Sequence, residues 1–121
     1  MKRDPENGSR ELVLLSARLA AEKKAQDMCL LEVGRSSIIA DYFLIATGNS
    51  RAQVHAICDH LIESLKTKGF YALRVEGYSE GWWVIIDYGS LVIHLFHPEA
   101  RSFYDLERLW SESPEVNIEE I

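Results

Sequence analysis

The chain has 121 residues, of which 47% are hydrophobic and 26% are charged, and its formal net charge is −6. This length favours one domain with a sizeable core. The acidic balance argues against free nucleic acid as the main partner, because phosphate binding needs clustered Lys and Arg. No apolar run approaches the roughly 20 residues of a membrane helix, and the first residues carry no secretory signal or transit peptide. We therefore expect a cytoplasmic protein that binds no membrane.

The two ends of the chain differ in composition from its middle. Residues 1–8 are polar and are expected to form a flexible leader before a single domain over residues 9–111. Residues 112–121 hold four glutamates and neither Lys nor Arg, and we expect them to form an acidic flexible tail. Without these glutamates the chain has 15 acidic and 13 basic residues, so most of the surplus negative charge lies in the tail.

The first part of the chain predicts a helix followed by two strands. Leucines recur at helical spacing over residues 10–26, and Ser9 suits the N-cap position. Strands are predicted over residues 28–33 and 41–47. The second strand is almost continuously apolar, which indicates that both of its faces are buried.

A helix and a third strand follow. The helix is predicted over residues 51–68, with Ser50 as its N-cap and Gly69 just beyond its end. The strand is predicted over residues 70–77. Because the helix connects this strand to the one at 41–47, the two strands are expected to run parallel through a right-handed crossover.

The run from Gly81 to Phe96 predicts a β-hairpin at the centre of the sheet, because two apolar segments flank a Tyr-Gly-Ser turn. Gly89 can adopt the positive φ that such a turn needs. Alternation along the strand predicts two faces, one with Trp82, Val84, Ile86 and Tyr88, the other with Trp83, Ile85 and Asp87. A small sheet rarely covers both tryptophans, so at least one is expected to be partly exposed.

A third helix is predicted to open at Pro98, which suits the first helical turn. Phe96, Phe103 and Trp110 are expected to fill the core. The element order α-β-β-α-β-β-β-α then predicts an α/β fold of the α+β-like kind, a mixed five-stranded sheet with helices packed against it.

The turn Gly48-Asn49-Ser50 is the one segment that suggests an enzyme. A turn between a strand and a helix could cradle a phosphate, which leaves open a nucleotide-binding or nucleotidyl-transferring enzyme. The turn lacks both the glycine spacing of a dinucleotide fingerprint and the Gly-Lys-Thr of a P-loop. An ordinary capped turn is therefore the favoured interpretation, and no catalytic residue is assigned.

The histidines and cysteines do not form a pattern typical of a metal site. His55 and His60 are five residues apart on one helix, about 140° around its axis, and cannot chelate one ion together. His94 is interpreted as a hydrogen-bonded histidine of the core or of an interface. Cys29 and Cys58 are expected to be buried free thiols. We predict neither a metal nor a cofactor.

Several motifs, taken in order, resemble the ribosomal silencing factor family, also called the Iojap family. They are Asp41-Tyr42-Phe43, Ala46 to Ser50, Gln53-Val54, Val75-Glu76-Gly77, Trp83 to Gly89, Val92 to Phe96, Pro98 to Arg101 and Phe103 to Trp110. The resemblance covers residues 11–110. Two positions depart from the family pattern, because Trp82 is an additional tryptophan and Ser90 stands where an acidic residue is common.

The resemblance implies a fold related to nucleotidyltransferases but without their paired metal-binding carboxylates. It also implies a function in translation rather than an enzymatic one. Family members bind the large ribosomal subunit through its ribosomal protein fourteen, on the face that meets the small subunit. They thereby block subunit joining and repress translation when nutrients are scarce.

Five residues near the hairpin are the candidates for this partner contact: Glu76, Tyr78, Trp83, Asp87 and Tyr88. Exposed aromatic rings would supply desolvated area, and the carboxylates would pair with Lys or Arg of the ribosomal protein. A third hypothesis is a homodimeric interaction module, in which the aromatic face meets a second copy of the chain.

Overall fold

The structure, a computed structural model, describes residues 5–34 and 40–118. The helices are α1 (Pro5–Glu22), α2 (Arg51–Thr67), α3 (Pro98–Tyr104) and α4 (Leu106–Leu109). The strands are β1 (Gln26–Glu32), β2 (Tyr42–Thr47), β3 (Arg74–Glu76), β4 (Trp83–Asp87), β5 (Leu91–Phe96) and β6 (Glu115–Val116). Within these residues, no helix is both long and apolar enough to cross a membrane.

The strands form one mixed sheet in the order β3-β4-β5-β2-β1-β6. The central neighbours β2 and β5 are parallel, and every other pair is antiparallel. It follows that β2 and β3 point in the same direction, as predicted for strands joined through α2, although β4 and β5 lie between them. The prediction of a mixed sheet with helices packed against it is confirmed.

The sheet has six strands rather than the predicted five, because part of the expected tail pairs with β1. Leu30 and Leu31 of β1 lie opposite Val116 and Glu115 of β6, and the Glu32 N–H donates to the Pro114 carbonyl at 2.9 Å. This pairing covers a strand edge that would otherwise present unpaired backbone groups. Residues 119–121 of the expected tail lie outside the described part of the chain.

The first helix begins and ends earlier than predicted. Residues 5–8 of the expected leader belong to α1, Ser9 lies inside the helix rather than at its N-cap, and residues 1–4 are outside the described range. Proline is favourable in a first helical turn, which is consistent with a start at Pro5. The helix ends before Lys24, which adopts a left-handed φ of 62°. The prediction of one domain over residues 9–111 stays a prediction.

The second helix follows the sequence closely. The Ser50 Oγ accepts a hydrogen bond from the Gln53 N–H at 3.1 Å, and Gly69 has the positive φ of a residue that ends a helix. The predicted apolar stripe is fully buried and consists of Val54, Ile57, Cys58, Leu61 and Leu65.

Buried side chains form one core cluster on each face of the sheet. The first core cluster lies between the sheet and helices α1 and α2, and includes Val13, Leu44, Ile57, Ile86 and Leu95. The second core cluster lies on the opposite face and includes Leu31, Phe43, Ile45, Phe96 and Leu106. Among the helices of the described residues, the short α3 and α4 supply side chains to this second core cluster, so this face is less completely covered.

The hairpin is present as β4 and β5, and Gly89 has the predicted positive φ of 87°. Val84 and Ile86 belong to the first core cluster, while Trp83 and Ile85 pack against the second, as alternation predicts. Trp82 is the exception, since it also packs against the second core cluster. It precedes β4 and follows Gly81 at φ 64°, so the alternation of an extended strand does not reach it.

The third strand and the third helix are both shorter than predicted. The strand is reduced to β3, whose three residues are all exposed. The helix is split at Asp105, which adopts a left-handed φ of 47° between α3 and α4. As a result Phe103 is 78% exposed, and its predicted place in the core is wrong, whereas Phe96 is fully buried and Trp110 is half-buried against Phe43.

Candidate partner-binding site

Strand pairing places several chemically distinct side chains on the second face of the sheet. Glu76 lies opposite Ile85, Arg74 opposite Asp87, and Trp83 opposite Phe96. Residues directly opposite each other in an antiparallel pair share a face. We call this surface the Trp83 face, and it comprises Arg74, Glu76, Trp83, Ile85, Asp87 and the neighbouring Tyr104.

Trp83 is half-buried and held by contacts on several sides. Its indole Nε1–H donates to Nδ1 of His94 at 3.1 Å. Its ring stacks on Phe96, with centroids 5.0 Å apart, and meets Tyr104 at 4.8 Å. The ring is therefore fixed by the fold while part of its surface stays open to a partner.

The aromatic surface continues from Trp83 onto α3. Tyr104 is 44% exposed, and Phe103 packs edge-to-face on it at 5.0 Å. Phe103 was expected in the core and Tyr104 was not among the candidate contact residues, so neither ring was identified from the sequence as part of this surface. The available signal was Asp105, because Asp is one of the few residues that readily adopt the left-handed conformation.

The charged residues of the Trp83 face form a short ladder. Asp87 Oδ1 accepts the Gly89 N–H at 2.8 Å, and its Oδ2 lies 3.3 Å from Nε of Arg74. Arg74 also pairs with Glu76 at 3.4 Å. The Asp87 carboxylate is hydrogen-bonded within the hairpin turn. The Glu76 side chain is 56% exposed and is therefore the more accessible of the two acids to a partner. Arg74 was not anticipated.

Two of the five candidates lie away from this face. Tyr78 donates its hydroxyl to Asp59 of α2 at 2.8 Å, and its ring lies 4.6 Å from that of His55. The hydrogen bond to Asp59 raises the pKa of the Tyr78 hydroxyl. Tyr88 packs against the first core cluster, and burial raises its pKa to about 12. The structure thus brings together Glu76, Trp83 and Asp87 and separates them from both tyrosines.

In the turn considered for phosphate binding, two of the backbone N–H groups are already bonded within the chain. The Gly48 N–H bonds the Phe96 carbonyl at 2.9 Å, and the Asn49 N–H bonds Oε1 of Gln53 at 2.6 Å. A Cβ on Gly48 would lie 2.9 Å from the backbone nitrogen of Val54. Glycine is therefore explained by the close approach of α2 to the end of β2, without reference to a ligand.

The histidines and cysteines are also engaged locally. Nε2 of His60 lies 2.7 Å from Glu22, and Nε2 of His55 bonds the carbonyl oxygen of Tyr78. Cys29 and Cys58 are free thiols, and burial raises the pKa of Cys58 to about 12. In residues 5–34 and 40–118, no group of three or more His, Cys, Asp or Glu side chains is placed to hold a metal ion.

Comparison with known proteins gives consistent matches over nearly the whole chain. Residues 6–121 match the family model described as "Ribosomal silencing factor during starvation". The chain is 40% identical to the ribosomal silencing factor of Halalkalibacterium halodurans, covering 92% of this chain and 95% of that protein. It is 36% identical to the ribosomal silencing factor of Bacillus subtilis, covering 91% of this chain and 93% of that protein.

Plant relatives and solved structures agree with these matches. The chain is 30% identical to the chloroplastic Iojap protein of Zea mays, over 84% of this chain and 44% of that protein. A crystal structure from Bacillus halodurans aligns with a TM-score of 0.80 at 39% identity, over 88% and 97% of the two chains. A crystal structure of a protein from Chromobacterium violaceum aligns with a TM-score of 0.82 at 31% identity, over 84% of each chain. This chain belongs to the ribosomal silencing factor family.

Proposed function

We propose that this protein acts in the cytoplasm by binding the large ribosomal subunit through its ribosomal protein fourteen. Occupying that site sterically blocks joining of the small subunit and represses translation under nutrient limitation. Family membership supports the general role. The observation that carries the binding site is the Trp83 face, where a fixed but partly open tryptophan lies beside an exposed carboxylate.

The contact combines an aromatic anchor with a charged rim. Trp83 and Tyr104 offer ring surface whose rotamers are already restricted by packing, so little side-chain entropy is lost on binding. Central aromatic anchors of this kind commonly supply most of the binding free energy of an interface. Glu76 adds a carboxylate at the edge, which favours a partner that presents Lys or Arg.

Inhibition by bulk needs no chemical step. A folded chain of this length has a radius of gyration of about 14 Å, which exceeds the thickness of any solvent layer between two docked surfaces. The internally bonded Gly48-Asn49-Ser50 turn gives no support to a nucleotide-dependent enzyme. We accordingly assign the protein a purely steric, reversible action, with neither a membrane nor free nucleic acid as a partner.

The test measures binding of purified protein to isolated ribosomal protein fourteen and joining of ribosomal subunits in sucrose gradients. We expect Trp83→Ala to weaken binding about 30-fold, as loss of an interface anchor does. Glu76→Lys should weaken it about tenfold through lost and reversed charge. Both variants should restore subunit joining in proportion.

Glu63→Lys is the matched control, since it makes the same charge change at an exposed position on α2, on the other side of the sheet. It should bind as the wild type does. Equal binding by all three folded variants would reject the Trp83 face, and unimpeded joining with excess wild-type protein would reject the function.

A further inference from the structure

His94 lies in the middle of β5, directly beneath the Trp83 face. It is 5% exposed, and its ring meets Phe43 edge-on at 4.7 Å. Its Nδ1 accepts the indole N–H of Trp83 at 3.1 Å. An imidazole nitrogen that accepts a hydrogen bond carries no proton, so the proton of the neutral ring must lie on Nε2.

That second nitrogen has no hydrogen-bond partner within residues 5–34 and 40–118, and it is fully buried. Leaving a buried donor unpaired lowers the stability of a fold. An aliphatic residue would fill the space between Phe43 and Phe96 without this penalty. The fold therefore bears a cost at position 94 that its packing does not explain.

The bond to Trp83 offers the explanation. The stacking contacts with Phe96 and Tyr104 restrict the plane of the indole ring. They do not select which edge of the ring faces outward, because the second side-chain torsion of tryptophan has broad, roughly two-fold minima. A directional hydrogen bond from Nε1 selects one of these orientations.

We propose that His94 is a positioning residue, which holds the indole of Trp83 in its binding orientation at the expense of fold stability. This inference rests on the proposed function of the Trp83 face. It predicts that stability and binding respond in opposite directions when the imidazole is replaced by an apolar side chain. A residue with a merely structural role would lower both together.

The first experiment compares His94→Leu with His94→Asn in thermal unfolding and in binding to isolated ribosomal protein fourteen. His94→Leu should keep or raise the melting temperature while weakening binding about fivefold, the loss expected for one hydrogen bond. His94→Asn places an amide oxygen near the position of Nδ1 and should bind as the wild type does. Weakened binding accompanied by a lower melting temperature in His94→Leu would overturn the proposal.

A double-mutant cycle with Trp83→Phe separates positioning from other effects. Phenylalanine keeps an aromatic anchor but has no N–H, so His94→Leu should cause no further loss of binding in this background. An equal fivefold loss in both backgrounds would overturn the proposal. The indole N–H resonance of Trp83, identified by its absence in Trp83→Phe, should shift in His94→Leu and stay near its wild-type position in His94→Asn.

The same variants separate the proposed binding site from the positioning role of His94. If Trp83→Ala binds as the wild type does, the proposed binding site fails and the inference fails with it. If Trp83→Ala binds weakly while His94→Leu binds normally, the site stands and only the positioning role of His94 is rejected.

Discussion

At the scale of single residues, the partly exposed ring of Trp83 is hydrogen-bonded to a buried group, His94. The imidazole must stay neutral for Nδ1 to accept the indole N–H, and burial favours the neutral form by lowering its pKa from 6.5 to about 4. The hydrogen bond is therefore maintained across the whole physiological pH range.

This lowered pKa predicts how stability depends on pH. Below pH 6.5, His94 is protonated in the unfolded chain. In the folded chain it stays neutral until the pH falls to about 4. The contribution of neutral His94 to the free energy of unfolding is fully present above pH 6.5. It is lost as the pH falls towards 4, and the total loss is about 3 kcal/mol. Denaturant unfolding of the wild type across this range should show the loss.

Carboxylates also titrate near the lower end of that range, so the wild type alone does not isolate the histidine. His94→Asn removes the imidazole and keeps an acceptor, and the difference between the two unfolding profiles reports His94. Parallel profiles from pH 7 to pH 4 would contradict the assignment of this pKa.

Gly77 is the residue at which the chain turns from β3 towards the hairpin. Its φ is 78°, and a Cβ there would lie 2.1 Å from the carbonyl oxygen of Trp83. Gly77→Ala should therefore lower the free energy of unfolding by more than the roughly 1–2 kcal/mol of left-handed strain alone. Chemical unfolding measures this difference.

Gly69→Ala is the control for that substitution. Gly69 has a similar φ of 89°, but nothing lies within 4 Å of the position a Cβ would take. This variant should lose only about 1–2 kcal/mol from backbone strain. Equal losses at the two glycines would show that the contact with β4 does not matter.

At the scale of secondary-structure elements, some helices and strands were predicted accurately from the sequence and one strand was not predicted at all. Helix α2 and the hairpin were predicted well, because Ser50, Gly69 and Gly89 specify their ends through local backbone chemistry. The strand β6 was not predicted, because its two residues gain strand conformation only by pairing with β1, more than 80 residues earlier in the sequence.

The residues of the candidate site also fall into two groups, those that a local pattern predicts and those that only contacts between elements bring together. Alternation along β4 placed Trp83 and Asp87 on one face, since the period of a strand is a local property. Arg74 and Tyr104 were missed because their proximity to those residues depends on strand pairing and on the left-handed Asp105. Contacts between elements were beyond the reach of local patterns.

The break between α3 and α4 is spanned by a charged clamp. Arg101 bonds both carboxylate oxygens of Glu107 at 3.3 Å, and its Nη1 donates to Thr47 of β2 at 2.8 Å. The Arg101 side chain is only 16% exposed and Thr47 is buried, so removing Arg101 leaves the Thr47 hydroxyl without this partner and takes a charge partner from Glu107. These bonds fix the two short helices, and with them Tyr104, relative to the sheet.

Loss of the clamp should therefore affect stability. We expect Arg101→Met to lower the free energy of unfolding by roughly 2 kcal/mol, less than the 3–5 kcal/mol of a fully buried pair because Glu107 is partly exposed. Arg108→Met, at an exposed position on α4, is the matched control and should change it by less than about 0.5 kcal/mol. Similar losses of unfolding free energy in both variants would show that the bonds of Arg101 do not stabilise the fold more than an exposed arginine does.

At the scale of the whole molecule, we expect net charge to favour the proposed ribosomal partner over a second copy of the chain. Phe103, which packs on Tyr104 of the Trp83 face, is 78% exposed, so this apolar surface could serve the dimer hypothesis as well as the proposed ribosomal contact. Two copies each carry a charge of −6 and repel each other, whereas a basic ribosomal protein is attracted.

The two associations should therefore respond to salt in opposite ways. Raising the ionic strength from about 0.01 M to about 0.1 M shortens the Debye length from roughly 30 Å to roughly 10 Å. Sedimentation equilibrium should then show stronger self-association of the protein alone and weaker binding to ribosomal protein fourteen. In mixtures at low salt, we expect a 1:1 complex to replace any dimer, because the proposed ribosomal contact and the dimer hypothesis use the same aromatic surface. A complex that retains two copies of the chain would show that dimer and ribosome use different surfaces.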